Sequence, residues 1–120
     1  MQVYMTCFDQ NEYNAKIAEF CRESSIDDTV KRNIELAFEE LVKNNIAEFI
    51  AHNDDRGLPI EVTVEHYGTD SNAEMTIIYG GSRYDPVYDG DELSALLARK
   101  LFSSIKYSYN SLNRLDIRFD

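Results

Sequence analysis

The sequence contains no tryptophan, only two cysteines and two histidines, and few basic residues. The cysteines, Cys7 and Cys21, have neither Cys-x-x-Cys nor Cys/His spacing, so no zinc site is predicted and two reduced thiols are expected. Against 12 Lys and Arg stand 22 Asp and Glu, which gives a net charge of -10. This balance argues against a broad nucleic-acid or anionic-membrane surface, because both need clustered basic residues.

Long apolar runs are also missing. No run approaches the roughly 20 residues that span a bilayer, and no signal peptide opens the chain. The hydrophobic fraction of 43% and the charged fraction of 28% are ordinary for a globular protein of 120 residues. We therefore expect one cytoplasmic domain over residues 1–120.

Hydrophobic periodicity predicts an α+β fold. In chain order the expected elements are a strand over 2–8, a helix over 11–24, a break at 25–28, a helix to about 52, strands over 60–66 and 74–79, an irregular segment over 80–90, a helix over 91–103, and strands over 105–109 and 112–119. The strands are expected to pair as two hairpins while the helices cover one face. The predicted architecture is a two-layer α/β sandwich with a mostly antiparallel sheet covered by three helices.

The long middle helix carries an unusual polar stripe. Glu40, Asn44 and Glu48 are each four residues apart, so at 100° per residue they stack on one face, separate from the charged side of the helix. Apolar residues flank this stripe on both sides. Because a carboxylate and an amide inside an apolar frame are costly unless they are paired, Glu40 and Asn44 are the leading site candidates.

The segment Glu39-Glu40-Leu41-Val42-Lys43-Asn44-Asn45-Ile46 resembles the N-box of the Bergerat-fold ATPases, the GHKL superfamily of gyrase, ninety-kilodalton heat-shock chaperones, histidine kinases and mismatch-repair proteins. The resemblance is strongest to the anti-sigma-factor serine kinases, and the element order extends it over nearly the whole chain. It implies a histidine kinase-like ATPase fold with ATP and Mg²⁺ as cofactors. Asn44 would hold the Mg²⁺, and Glu40 would be the catalytic base that orients a water or hydroxyl.

The other nucleotide boxes depart from the family pattern. The family's adenine site is an Asp-x-Gly-x-Gly run at the end of a strand. Aligned through Tyr84-Asp85-Pro86, this chain keeps Gly81 but has Tyr79 in place of the Asp and Arg83 in place of the last Gly. Together with Asn44, Tyr79 and Gly81 are the nucleotide-binding candidates that the resemblance implies.

The glycine box before the third helix is also altered. Glu92 and Ser94 stand where the family has glycines, and Asp91 and Glu92 place two carboxylates where a phosphate would dock at the helix N-terminus. Like charge there repels the anion. Of the three nucleotide-binding motifs of the family, the adenine run and the glycine box before the third helix are therefore degraded in this sequence.

Three hypotheses follow. The favoured one is a degenerate regulatory domain that binds a protein partner, such as a sigma factor or its antagonist, or its own copy, with weak or absent ATP binding. The alternative is an active Mg-ATP-dependent serine kinase with Glu40 as base and Asn44 on Mg²⁺. A third is a cavity shaped by Tyr79 that binds another ligand. Glu40 and Asn44 could equally bond each other in a vestigial site, and Gly80-Gly81 could simply form a turn that needs positive φ.

Overall fold

The computed structural model describes residues 2–5, 10–23, 26–52, 60–66, 72–90 and 92–120. In chain order its elements are β1 (Gln2–Met5), α1 (Gln10–Glu23), α2 (Asp28–Ala37), a π-helix (Phe38–Ile46), α3 (Ala47–His52), β2 (Ile60–His66), β3 (Ala73–Tyr79), α4 (Glu92–Ala98), β4 (Ser104–Asn110) and β5 (Leu112–Phe119). The expected end of the first strand, which contains Cys7, and the expected first residue of the last helix, Asp91, lie outside the described residues.

Every strand pair that the structure describes is antiparallel, and the five-stranded sheet has the order β1-β2-β3-β5-β4. The two predicted hairpins, β2–β3 and β4–β5, are confirmed. Side chains alternate along each strand, so one set faces the helices and the other faces away from them. The buried set is apolar or aromatic apart from one asparagine: Ile60, Val62, Val64, Ala73, Met75, Ile77, Tyr79, Asn113, Leu115, Ile117 and Phe119.

The middle helix of the sequence is three segments in succession, α2, the π-helix and α3. Its start is set by Asp27, whose carboxylate accepts a 2.7 Å hydrogen bond from the backbone N–H of Thr29, as a helix N-cap does. Its inner side supplies much of the core through Val30, Ile34, Ala37, Phe38, Leu41, Val42, Ile46, Ala47 and Ile50. The structure describes the helix as far as His52, the residue near which its end was predicted. The nine residues of π-helix in its centre were not predicted.

Helix α4 is shorter than the predicted 91–103. It ends at Ala98, and a tight turn follows in which the N–H of Leu101 donates to the carbonyl of Ala98 at 2.9 Å. Phe102 then packs edge-on against Phe119 of β5, with ring centroids 6.4 Å apart. This contact places the half-buried ring against the sheet, and β4 begins two residues later at Ser104. The structure is therefore an α+β domain with helices over one face of an antiparallel sheet, in agreement with the predicted class. None of the helices described is long and apolar enough to cross a membrane.

Candidate functional site

The prediction that Glu40, Asn44 and Glu48 form a polar stripe within an apolar frame on the middle helix is wrong. Asn44 and Glu48 are exposed, and Glu40 is half-buried. The side-chain amide of Asn44 donates to Glu40 Oε2 at 3.4 Å, so the two groups do contact each other, at the surface rather than inside the sandwich. The roles of Asn44 as metal ligand and of Glu40 as base stay predictions. The apolar surroundings that made these two residues the leading candidates are not observed.

The next residue takes the inward position. Asn45 is 3% exposed, and its Nδ2 donates to the backbone carbonyl of Glu40 at 2.5 Å. Both residues lie in the π-helix, whose backbone hydrogen bonds span five residues rather than the four of an α-helix. The prediction assumed the α-helical rotation of 100° per residue. It therefore assigned to Asn44 the inward position that Asn45 occupies in the π-helix. The hydrophobic pattern carried no sign of this change, because apolar residues flank both asparagines.

A glycine lets the loop after β3 approach Asn45. A methyl group added at Gly90 would lie 2.3 Å from the carbonyl oxygen of Pro86 and 2.4 Å from Oδ1 of Asn45. Real Cβ atoms do not approach other atoms this closely, so glycine is required by the packing. The loop therefore lies directly against the π-helix at Asn45.

Tyr79, the residue at the expected adenine position, is sealed. It ends β3, is 1% exposed, and its hydroxyl donates to the backbone carbonyl of Tyr84 at 2.5 Å. Burial, with smaller contributions from Tyr107 and Asp85, raises the pKa of Tyr79 far above its ordinary value, so the hydroxyl remains a neutral donor. The ring and the Tyr84 backbone together occupy the end of the strand.

An asparagine that the sequence analysis missed organises this corner. Asn113 of β5 is fully buried, and its amide donates to the backbone carbonyls of Ser82 at 3.0 Å and of Tyr79 and Gly80 at 3.4 Å. Its Oδ1 accepts from the Tyr84 N–H at 2.8 Å and from the Tyr107 hydroxyl at 2.6 Å. One side chain therefore satisfies polar groups of β3, the following loop and β4. The only sequence signal was an asparagine at an inward position of β5.

The loop after β3 is fixed at two further points. Gly81 has φ of 93°, in the left-handed region that favours glycine, so the predicted turn role of this residue is confirmed. The ring of Tyr84 stacks on that of Phe49 in α3, with centroids 4.1 Å apart and planes 6° from parallel. These contacts and the Asn113 bonds hold the loop closed over the inner face of the sheet.

Outside this closed corner lies a shallow groove of about 520 Å³ between residues 87–90 and α4, with Glu92 and Arg99 among its lining residues. Beside it α4 turns leucines outward and alanines inward. Leu93 is 64% exposed, and Leu96 and Leu97 lie beside it at helical spacing. Tyr88, which is 85% exposed, borders the same groove. We call Tyr88, Leu93, Leu96 and Leu97 the apolar ridge.

Metal and thiol chemistry have little support in the part of the chain that the structure describes. There, no group of three or more His, Cys, Asp or Glu side chains is placed to hold a metal ion. Cys21 is buried, and burial raises the pKa of its thiol to about 11, so it remains protonated near neutral pH and is a poor ligand or nucleophile.

The residues present fit Mg-ATP poorly. The position that the resemblance assigns to the adenine holds a buried tyrosine ring, and Glu92 stands at the start of α4, where the resemblance would place the phosphates. No protein-family model matches the chain, and no curated protein is significantly similar to it.

Proposed function

We propose that this chain is a regulatory domain of the Bergerat type that has lost its nucleotide site and acts by binding another protein. The observation that carries the proposal is the sealed Tyr79. In a Bergerat ATPase this position would hold the aspartate that accepts a hydrogen bond from the adenine amino group. Here a neutral ring 1% exposed fills the space, and its hydroxyl is already bonded to the Tyr84 carbonyl.

The residues where the nucleotide phosphates would bind also support the loss of the nucleotide site. Glu92 begins α4, so a carboxylate stands where the phosphates would need positive potential. The loop that would serve as a lid is held to the sheet by Asn113 and to α3 by Tyr84. Opening it for a nucleotide would break these contacts without an evident replacement.

The apolar ridge suits a protein partner. Exposed leucines at positions i, i+3 and i+4 on one helix are the pattern with which helices dock onto other proteins, and large apolar side chains clustered at a surface mark interaction sites. The resemblance to the anti-sigma-factor serine kinases makes a transcriptional regulator, a sigma factor or its antagonist, the class of partner that we propose.

The alternative function is an active serine kinase, in which Asn44 holds Mg²⁺ and Glu40 acts as base. One observation favours it. Glu40 and Asn44 lie side by side on one helix face, with 3.4 Å between Oε2 and Nδ2. The Glu40 carboxylate and the Oδ1 of the neighbouring Asn44 amide are both oxygen ligands of the kind that Mg²⁺ takes once phosphates complete the coordination.

Isothermal titration with Mg-ATP and Mg-ADP tests whether the nucleotide site is lost, which the proposed function requires and the kinase alternative excludes. We expect no heat of binding and no thermal shift at millimolar nucleotide, since a site lacking its adenine acceptor and phosphate glycines retains little affinity. Binding that requires Mg²⁺ and disappears in Asn44→Ala would instead establish the kinase. Lys43→Ala is the matched control, because Lys43 is an exposed neighbour on the same helix.

A second titration tests whether Tyr79 alone blocks the site. We expect Tyr79→Asp to remain without nucleotide affinity, because Glu92 is unchanged and the loop keeps its contacts with Asn113 and Phe49 in that variant. Measurable Mg-ATP binding by Tyr79→Asp would show that the tyrosine is the whole obstacle, and the lid would then have to open more easily than its contacts indicate.

A further inference from the structure

The groove beside α4 carries opposite charges at its two ends. Glu92 lines it at the start of the helix, and Arg99 lines it at the other end. The N–H of Arg99 donates to the carbonyl of Ala95 at 3.1 Å, so the helical path continues to this residue. Seven residues of α-helix make two turns and rise about 10.5 Å, so both charges lie on the same side of α4. Ala95 and Leu96 line the groove between them, so the stretch between the charges is apolar.

Neighbouring residues extend this separation of charge. Asp89 is exposed beside the lining residue Gly90, next to the acidic end of the groove. Lys100 is exposed next to Arg99, at the basic end. The salt bridges that the structure shows among its described residues lie elsewhere, on α2 and β5. The charges beside the groove are therefore placed to meet charges of a second molecule.

We propose that the groove and the apolar ridge dock one amphipathic helix of another protein. This helix lies antiparallel to α4, with acidic residues in its first turn and basic residues in its last turn. Its acidic end meets Arg99 and Lys100, and its basic end meets Asp89 and Glu92. The inference rests on the proposed protein-binding role and adds to it the shape, the direction and the charge pattern of the partner.

A helix fits this surface better than an extended segment does. Leu93, Leu96 and Leu97 stand at positions i, i+3 and i+4, the spacing of the side-chain ridges along which two packed helices interlock. An extended peptide instead docks through the free N–H and C=O groups of a sheet edge. α4 offers no such edge, because the backbone groups of a helix are bonded along its own axis.

The charges determine the direction of the docked helix. Acidic residues in the first turn and basic residues in the last turn complement the dipole of any helix. A helix with that pattern, placed antiparallel to α4, brings each of its ends against the opposite charge. Placed parallel, it would bring like charges together at both ends of the groove.

A second copy of this chain is a poorer occupant than a helix of another protein. α4 has an acidic start and a basic end, so two copies would match over this one helix. Each copy carries a net charge of -10, however, so the two chains would repel each other beyond it. A partner with more basic than acidic residues is attracted by the same charge. The occupant is therefore assigned to a basic amphipathic helix.

Fluorescence anisotropy with designed peptides tests the proposal. The probe is a stapled helix of about 15 residues, with leucines along one face, glutamates in the first turn and a larger number of lysines in the last. A reversed peptide of the same composition carries lysines first and glutamates last, and its staple keeps it equally helical. We expect micromolar binding of the probe and about tenfold weaker binding of the reversed peptide. The difference should shrink at high salt, because the charges are exposed. Equal affinities, or no binding of either peptide, would overturn the proposal.

A leucine variant locates the contact on the molecule. Leu96→Ala should weaken binding of the probe about tenfold, because Leu96 belongs to both the groove and the ridge. Leu112→Ala is the matched control, since Leu112 is an exposed leucine next to the turn between β4 and β5. Equal effects of the two substitutions would place the contact outside the groove and reject the assignment.

A charge exchange tests the direction without removing apolar surface. Glu92→Arg combined with Arg99→Glu should abolish the preference for the probe over the reversed peptide, because Asp89 and Lys100 then oppose the exchanged pair. Both positions are exposed, and circular dichroism checks that the variant is folded. An undiminished preference in the folded variant would reject the antiparallel arrangement.

Two further measurements separate this inference from its neighbours. Sedimentation of the chain alone, at the titration concentrations, should give the mass of one chain. A dimer that Leu96→Ala abolishes would assign the ridge to a second copy and overturn the proposal. Binding of Mg-ATP by a chain that also prefers the probe would overturn the loss of the nucleotide site and leave the groove assignment standing. Absence of both nucleotide and peptide binding would overturn this inference alone.

Discussion

Two polar regions of this molecule have opposite relations to its core. At the end of β3, Asn113 and Tyr79 are buried, and their hydrogen bonds go to backbone groups of a loop. On the middle helix, Glu40 and Asn44 lie at or near the surface, and their mutual bond leaves the backbone untouched. The comparison teaches that the polar residues that support the fold are those that satisfy buried backbone groups, since an unsatisfied group there is costly.

The largest expected effect comes from removing the hub of the buried region. Asn113→Leu should lower the free energy of unfolding by about 3 kcal/mol, because several buried donors and acceptors lose their partner at once. Urea unfolding followed by circular dichroism measures the change. Asn110→Ala, an exposed asparagine of the same hairpin, is the matched control and should be nearly neutral. A cost below about 1 kcal/mol for Asn113→Leu would show that water replaces the side chain easily.

The next effect concerns the close approach of the loop to the π-helix. Gly90→Ala should cost about 2 kcal/mol of unfolding free energy, because its methyl group would overlap the Pro86 carbonyl and Asn45 Oδ1. Thermal unfolding gives the comparison, with Ser82→Ala as an exposed control in the same loop. An unchanged melting temperature for Gly90→Ala would mean that the loop is not packed against the helix.

A smaller effect separates the Tyr79 hydroxyl from its ring. Tyr79→Phe keeps the ring and removes only the donor to the Tyr84 carbonyl, so it should cost about 1 kcal/mol of unfolding free energy. In Tyr109→Phe the lost bond, to the Gly81 carbonyl, is 3.5 Å long and exposed, and the change should be close to zero. Equal costs for the two substitutions would remove the distinction between the buried and exposed regions.

The smallest effect is expected at the surface pair. Asn44→Ala should change the free energy of unfolding by no more than about 0.5 kcal/mol, as is usual for surface positions. Asn45→Ala, one residue further, should cost more than about 1 kcal/mol, because the inward amide bonds the Glu40 carbonyl. Chemical unfolding of both variants tests the phase of the helix directly. A larger cost at Asn44 than at Asn45 would restore the phase that the sequence predicted.

Much of the fold was accessible from the sequence. Alternation in residues 60–66 predicted β2 with its apolar face inward, and the predicted break at 25–28 contains Asp27, the residue that caps α2. The class and both hairpins follow from such local signals. The early end of α4 was not accessible, because it depends on Phe102 meeting Phe119 across the fold.

The candidate site was less predictable than the fold, because it depends on features that no local sequence signal reveals. Locating Asn44 on a face required the helical repeat, and the repeat changes inside Phe38–Ile46 without a local signal. The importance of Asn113 depends on carbonyls from Tyr79 to Ser82, which are about thirty residues away along the chain. Only Gly81 was recognisable in advance as a turn residue, because its need for positive φ is a property of the residue itself.

The π-helix has a consequence for how this chain can change in length. Its hydrogen bonds span five residues instead of four, so it holds more residues in each turn than the α-helical segments on either side. Deleting one residue between Phe38 and Ile46 would let the backbone relax toward the commoner repeat while the flanking segments continue the helix. A gain or loss of one amino acid inside the longest helix would therefore change its local repeat, and such a change would re-aim the side chains of that stretch in a single step.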